Sequence, residues 1–347
     1  MLSESALRLR LDGDALLSNW RWLAAQSGRA ACGAAIKADG YSLGARGVLD
    51  RLAGGGCRDF FVATWREAEA LGALPDGVSL SVLHGLRQAD VAAALQLGAR
   101  PVLISVEQVL RWKEVAPGRP CDVMVDTGMN RLGLTPDQAR SGILDNVEIE
   151  TLLSHLACAD EPESGMNEDQ LFLFRGLRGA IRAKRYSLAN SAGICLGDRY
   201  AFQLTRPGIA LYGGIPREEA RGHIRQVVHP EAEILQVREL KPGAPVGYGA
   251  TFVAPRRMRI GVLNIGYADG YLRCFSGRGS ARAGGQLLPV LGRISMDLTA
   301  VDLGELEVAA GDWLEIDYSL EETAELSGLS QYELLTGLGR RYQRCWI

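Results

Sequence analysis

Lys37 closes a short apolar run, Ala34-Ala35-Ile36, and Tyr41 follows four positions later across small residues. An amine emerging from a buried strand is partly desolvated, which disfavours its ammonium form. A neutral lysine amine can form a Schiff base with an aldehyde cofactor. Alone, the segment is equally compatible with a surface lysine after a strand. Other chemistry-bearing residues end apolar runs in the same way: Arg131, His155, Asn190 with Ser191, and Arg206. A lysine, two arginines, a histidine and a serine on one rim suit an anionic cofactor. Each has a plainer use. Arg131 could pair with Asp126, His155 could be a satisfied strand-end histidine, and Ser191 could cap a helix. Gly208, in Arg206-Pro207-Gly208-Ile209, permits close backbone approach to a ligand or simply a turn.

These residues share a rim only if the runs that precede them are strands of one barrel. The runs are residues 33–36, 60–63, 79–83, 101–104, 122–125, 149–153, 186–189 and 202–204. Segments of helical character lie at 15–25, 65–74, 106–115 and 170–183. Eight short buried strands alternating with helices predict an α/β fold, a (β/α)8 TIM-type barrel over residues 12–225. A doubly wound open sheet is the alternative, and no GxGxxG turn after the first run supports it. Beyond residue 225 the texture becomes strand-rich, with Pro242-Gly243, Gly284-Gly285 and Gly311 as punctuation, and 320–338 partly helical. Residues 226–347 therefore read as a C-terminal mainly-β domain. Residues 7–11 alternate with period two, so segment 1–11 is assigned to that domain as a crossing strand.

The 347 residues suit two domains, and a net charge of −3 points to neither nucleic acid nor a membrane surface. Seven scattered cysteines form no CxxC or metal-like spacing, so neither structural zinc nor a disulfide framework is expected, and no metal is assigned. The start, Met1-Leu2-Ser3-Glu4-Ser5, carries an acid where a leader peptide wants a base. No run is long enough to span a membrane, and the expected location is cytoplasmic.

In order, the segments AAIKADGY, VDTGMNRLG, SHLACAD, LANSAG, RPGIALYGG, VGYGATF, NIGYADGY and GRISMD resemble the alanine racemase family. They run from residue 34 to 297 and cover both domains. That resemblance implies a pyridoxal-phosphate isomerase interconverting L- and D-alanine, supplying D-alanine for peptidoglycan, as a homodimer with shared active sites. Lys37 would hold the cofactor and act as one base. Tyr248, from the second protomer, would be the other. Arg206 would face the pyridine nitrogen, and Arg131 the phenolic oxygen and the substrate carboxylate. His155 would lie beside the ring. Tyr41, Ser191 and the backbone of Gly208 and Ile209 would bind the phosphate. Met296 would line the substrate pocket, and Asp160, Tyr267, Arg273 and Arg293 the entrance.

The residue types are consistent with two-base racemisation, which removes a proton from one face of Cα and returns it to the other. A tyrosine base needs nearby positive charge or strong hydrogen bonds to act near neutrality. An arginine at the pyridine nitrogen discourages its protonation and so suppresses transamination. Departures from the family pattern are Met124, where many members carry a carbamylated lysine, Asn130, and Ala38-Asp39-Gly40. Arg340 or Tyr342 stands near the place of a phosphate-binding tyrosine. Rival readings are a racemase of broader range that accepts serine, a barrel decarboxylase, which would want an acid at Arg206, and a non-catalytic pyridoxal-phosphate-binding protein.

Overall fold

Apolar runs buried on both faces form parallel strands when helices cover them, and the first two-thirds of the chain follows that rule. The computed structural model describes Ser5–Ile347, so the leader reading of Met1–Glu4 lies outside the described residues. The chain divides into two compact units, Ala15–Arg225 and the segment ending at Asp14 together with Gln226–Ile347. No described helix is long and apolar enough to cross a membrane.

After β1 (Leu7–Leu11), which belongs to the second unit, come β2 (Ala31–Cys32) and β3 (Ala34–Ala35). They are one barrel strand broken at Gly33, where a Cβ would lie 2.7 Å from the Asp59 carbonyl oxygen. β4 (Asp59–Val62), β5 (Ser79–Val82), β6 (Arg100–Leu103), β7 (Cys121–Met124), β8 (Ile149–Leu153) and β9 (Arg185–Ser187) continue the parallel sheet from β3. β10 (Leu204–Thr205) pairs in parallel with β2. The Gln203 and Arg206 N–H groups donate to the Tyr186 and Ala189 carbonyls, at 3.1 and 2.9 Å, which ties β10 to the β9 side. The ring of eight strands is thereby closed as a (β/α)8 barrel.

The interior is layered. At the amino ends of the strands, Arg185 grips Asp59 in a bidentate pair at 2.7 and 3.0 Å. Ser79 donates to Asp59 at 2.9 Å, and Arg100 reaches Ser79 at 3.3 Å and Asp122 at 3.5 Å. Ser81 donates to Asp122 at 2.5 Å. Burial alone raises the Asp59 carboxyl, but Arg185, Ser79 and Arg100 outweigh it and hold its pKa below the ordinary range. Two residues further along the strands the interior turns apolar, with Val102, Met124 and Leu153 packed against Leu83 and Ile104. Ala35, Phe61 and Leu204 form a second such cluster. These side chains are the floor beneath the carboxyl-end rim.

The helices start where side chains satisfy free N–H groups. Thr64 and Glu67 form a capping box on Trp65–Leu71, Ser105 caps Val106–Val115, and Asn190 caps Ser191–Cys195. Gly165–Ala180 begins five residues earlier than the apolar pattern indicated, because its buried face includes Asn167 and Gln170 beside Leu171, Phe174 and Leu177.

The second unit is built on β11 (Val228–Leu240), whose thirteen residues pair with three strands, β1, Met258–Leu263 and Trp313–Ile316. Its first half pairs with β1, and its second half, past a bulge near Ile234, with the later strand Met258–Leu263. Between them lie the two-residue strands β12 (Pro245–Val246) and β13 (Phe252–Val253). The rest are β14 (Met258–Leu263), β15 (Ser280–Ala283), β16 (Gln286–Leu291), β17 (Thr299–Asp302), β18 (Trp313–Ile316) and β19 (Gln343–Trp346). The order β14-β17-β16-β15-β18-β11, with β11 also paired to β14, closes a small antiparallel barrel. β1 alternates as its sequence predicts: Leu7, Leu9 and Leu11 are buried, while Arg8 pairs with Glu231 and Arg10 with Glu315.

The Asp59–Arg185 pair makes a stability prediction. Arg185→Met strands a buried carboxylate and is expected to cost about 3–5 kcal/mol in urea unfolding, whereas Asp59→Leu with Arg185→Met should recover most of it. A double variant no more stable than the single one would refute this account of the barrel floor.

Candidate active site

A parallel barrel delivers the carboxyl ends of all its strands to one rim. Lys37 follows β3, Arg131 and His155 lie beyond β7 and β8, and Arg206 follows β10. These four are close enough to act on one another. Burial, then Arg131, hold the Lys37 ammonium below its ordinary pKa; Glu67 opposes this and Arg206 adds to it. His155 is pushed down to about 3, by burial and then by Arg206, Arg131 and Lys37, so its imidazole is neutral near physiological pH. Burial lowers Arg206 to about 10, still cationic at neutrality, and the buried Asp122 carboxylate pulls against that shift. The Arg206 guanidinium is fixed by donation to Ser187 Oγ and to the Ser154 carbonyl, the latter at 2.5 Å.

The loop bearing Arg131 is folded by Asp126, whose carboxylate accepts the N–H of Gly128 at 2.8 Å and of Arg131 at 3.1 Å. Asp126 thus orients the Arg131 backbone. The Met124 side chain contributes only packing, within the apolar cluster below. One residue absent from the sequence-based set ties the site loops together. Gln170, fully buried, donates to Thr127 Oγ1 at 3.1 Å and to the His155 carbonyl at 2.9 Å, and accepts the Ala157 N–H at 2.9 Å. Thr127 in turn bonds Ser154 at 2.8 Å. A polar residue in an apolar helical stripe was the available signal.

The segment after Lys37 is a left-handed helical turn. Ala38, Asp39, Gly40, Tyr41 and Ser42 have φ of +53°, +54°, +63°, +55° and +70°. Each non-glycine residue there costs roughly 1–2 kcal/mol, so the turn persists only because its polar groups are over-determined. The Gly40 and Ser42 N–H groups donate to the Ile36 and Ala38 carbonyls, both at 2.9 Å. Asp39 Oδ1 accepts the Ala45 N–H at 2.9 Å, and Glu67 Oε1 the Ala38 N–H at 2.8 Å. The turn aims Tyr41 inward, stacked on Tyr212 at 4.5 Å. A Cβ on Gly208 would lie 2.3 Å from the Tyr41 hydroxyl, so glycine is what lets the two meet.

Ser191 is the first helical residue and leaves capping to Asn190, whose side chain accepts the Gly193 N–H at 2.8 Å. Ser191 Oγ instead accepts the N–H groups of Gly208 at 2.8 Å and Ala210 at 3.4 Å, the neighbours of Ile209 on either side. Tyr41, Ser191 and Gly208 therefore form one cluster of hydrogen-bonding groups, joined to Lys37 by the left-handed turn. An amine biased toward neutrality, a buried cation and this cluster fit the donor set that a phosphate-bearing aldehyde requires. Asp160 stands exposed on the loop after β8.

The remaining predicted residues lie in the second unit. Tyr248, between Gly247 and Gly249 with φ of +70° and +71°, is 70% exposed, and Met296 is 53% exposed. Arg293 lies beside them, its Nη1 3.3 Å from where a Gly249 Cβ would sit. The Tyr267 and Ala268 N–H groups donate to the Ser295 and Met296 carbonyls, and Arg273 lies over the Tyr267 ring at 5.2 Å. Tyr342 is buried near Asp269 and Tyr318.

Gly208→Ala drives a methyl into the Tyr41 hydroxyl and is expected to cost about 1–3 kcal/mol in urea unfolding. Unchanged stability would mean that Tyr41 moves aside freely and is not held in place by this contact.

Comparison with known proteins places this geometry. The family model for the alanine racemase N-terminal domain matches residues 11–216, and that for the C-terminal domain residues 227–346. The chain is 40% identical to the biosynthetic alanine racemase of Agrobacterium fabrum, over 99% of this chain and 94% of that one. It is 39% identical to the catabolic alanine racemase of the same organism, over 98% and 92%. The structure superposes on an alanine racemase from Bartonella henselae with covalently bound pyridoxal phosphate, at a TM-score of 0.90 and 35% identity, covering 99% of this chain and all of that one. The chain belongs to the alanine racemase family.

Proposed function

We propose that the protein is a pyridoxal-phosphate-dependent racemase interconverting L- and D-alanine. The observation that carries this reading is the Lys37 amine, biased toward its neutral form on a rim shared with Arg131, His155 and Arg206. Similarity at about 40% identity over nearly the whole chain supports it. Lys37 holds the cofactor. Tyr41, Ser191 and the backbone of Gly208 and Ile209 take its phosphate, Arg206 its ring nitrogen, and Arg131 its phenolic oxygen together with the substrate carboxylate. Bound pyridoxal phosphate supplies an electron sink that acidifies the substrate Cα–H bond.

The chain's residues then manage the proton. Lys37 Nζ removes or returns it on one face of Cα, a task suited to an amine whose charged form burial disfavours. Arg206 remains cationic and presents N–H donors where the ring nitrogen lies, which keeps that nitrogen unprotonated and limits transamination. His155, uncharged, offers a hydrogen bond without adding a further cation. The opposite face belongs to Tyr248 of the partner subunit in a homodimer, with the partner subunit's Met296 lining the substrate pocket. Their exposure in the single chain supports a second copy covering them. Asp160, Tyr267, Arg273 and Arg293 guard the entrance. The enzyme works in the cytoplasm and supplies D-alanine for peptidoglycan.

Incubation with L-alanine in D2O tests the reading: deuterium at Cα together with D-alanine is expected, and cofactor binding without exchange would overturn it. Sharing of the site is tested by co-expressing Lys37→Ala and Tyr248→Phe chains. Each homodimer is expected to be inactive, with activity returning in the mixed dimer, where one complete site exists. Failure of complementation would sink the shared-site arrangement.

A further inference from the structure

A lysine at the entrance of a left-handed turn has no regular secondary structure to hold its backbone, so its height above the barrel floor depends on what anchors the next residue. That anchor comes from another strand–helix unit. Glu67 Oε1 accepts the N–H of Ala38 at 2.8 Å, while Oε2 accepts the N–H of Ala63 at 2.6 Å and of Thr64 at 3.2 Å. One carboxylate thus fastens three strained or terminal backbone groups from two separate segments. The Glu67 backbone is itself seated by the capping box, with its N–H donated to Thr64 Oγ1 at 3.2 Å. A capping box requires only the reciprocal contacts between Thr64 and Glu67. The reach to Ala38 is an additional use of the same side chain.

We propose that Glu67 is a positioning residue for Lys37, fixing the amine by clamping the first residue of the left-handed turn to the end of β4 and the cap of the helix that follows. The inference rests on the reading of Lys37 as the cofactor-bearing base. Charge gives the clamp a second effect. The groups acting on the Lys37 amine are Arg131 and Arg206, which oppose its protonation, and Glu67, which favours it; His155, nearby, is neutral. Glu67 therefore opposes burial and the two arginines, which all favour the neutral amine, and helps to preserve a group able to accept and return a proton.

The test uses three variants of the full chain freed of cofactor, with two readouts that need no turnover. Backbone amide exchange of residues 38–44 is followed by mass spectrometry, and the pH dependence of Lys37 acetylation by trace acetic anhydride reports the ionisation of its amine. Thr64→Ala weakens the helix cap but keeps the Glu67 carboxylate that reaches Ala38, and should alter both readouts at Lys37 far less than Glu67→Ala does. Glu67→Ala should speed exchange in 38–44 by roughly tenfold, the loss of one hydrogen bond to a charged acceptor, and shift Lys37 labelling to lower pH. Glu67→Gln, which keeps an acceptor but no charge, should shift the labelling to the same extent with a smaller change in exchange. If Glu67→Ala affects residues 38–44 no more than Thr64→Ala does, the role is only a helix cap and the proposal is overturned. Should Glu67→Ala fail to fold, an unshifted Lys37 profile in Glu67→Gln overturns it equally. A wild-type protein that positions Lys37 in this way yet does not racemise alanine would refute the proposed reaction and leave this inference standing.

Discussion

Positive charge gathered where water is scarce governs this molecule. Lys37, Arg131 and Arg206 act on one another and on His155, and burial raises the cost of charge on Lys37, Arg206 and His155. The result is a division of labour by environment. The guanidinium of Arg206 stays charged because its intrinsic basicity is so high. The imidazole of His155 gives up its proton, and the amine of Lys37 is driven toward the state in which it can form a covalent bond or accept a proton. Such a cluster suits an anion-bearing cofactor, whose phosphate and phenolate oxygens would repay part of the repulsion.

Holding the cluster requires rigidity beneath and beside it. Beneath, the barrel interior passes from an ion-paired layer at Asp59, Arg100, Asp122 and Arg185 to an apolar floor at Val102, Met124 and Leu153. Beside it, single polar side chains reach across strand–helix units: Gln170 joins the loops of β7 and β8, and Glu67 joins the turn after β3 to the helix after β4. Such cross-links let loop residues keep fixed geometry, because one side chain holds groups from two separate segments at once.

Met124 shows how a local substitution is absorbed. A thioether there packs into the apolar floor and cannot orient a guanidinium. The neighbouring Asp126 accepts the backbone N–H of Arg131 and gives the loop its shape. Asp126 therefore sets the Arg131 main chain, while the side chain at position 124 does not act on its guanidinium.

The sequence by itself determined the alternation of strands and helices and which residues would end the strands, because buried parallel strands need continuous apolar runs and polar residues mark where they stop. It thus determined that Lys37, Arg131, His155 and Arg206 belong to one rim, since barrel topology sends every strand's carboxyl end the same way. Leu7–Leu11 was equally legible, its period-two pattern arising from one buried face. Tertiary structure alone decided the left-handed turn at residues 38–42, as intrinsic preference opposes that conformation for alanine, aspartate, tyrosine and serine, and only contacts from Glu67, Asp39 and Gly208 make it pay. It also decided that Asn190 caps while Ser191 meets Gly208, that Gln170 is a buried link between loops, and how far each cation is desolvated. Those outcomes depend on distances between residues far apart in the chain, which no local pattern encodes.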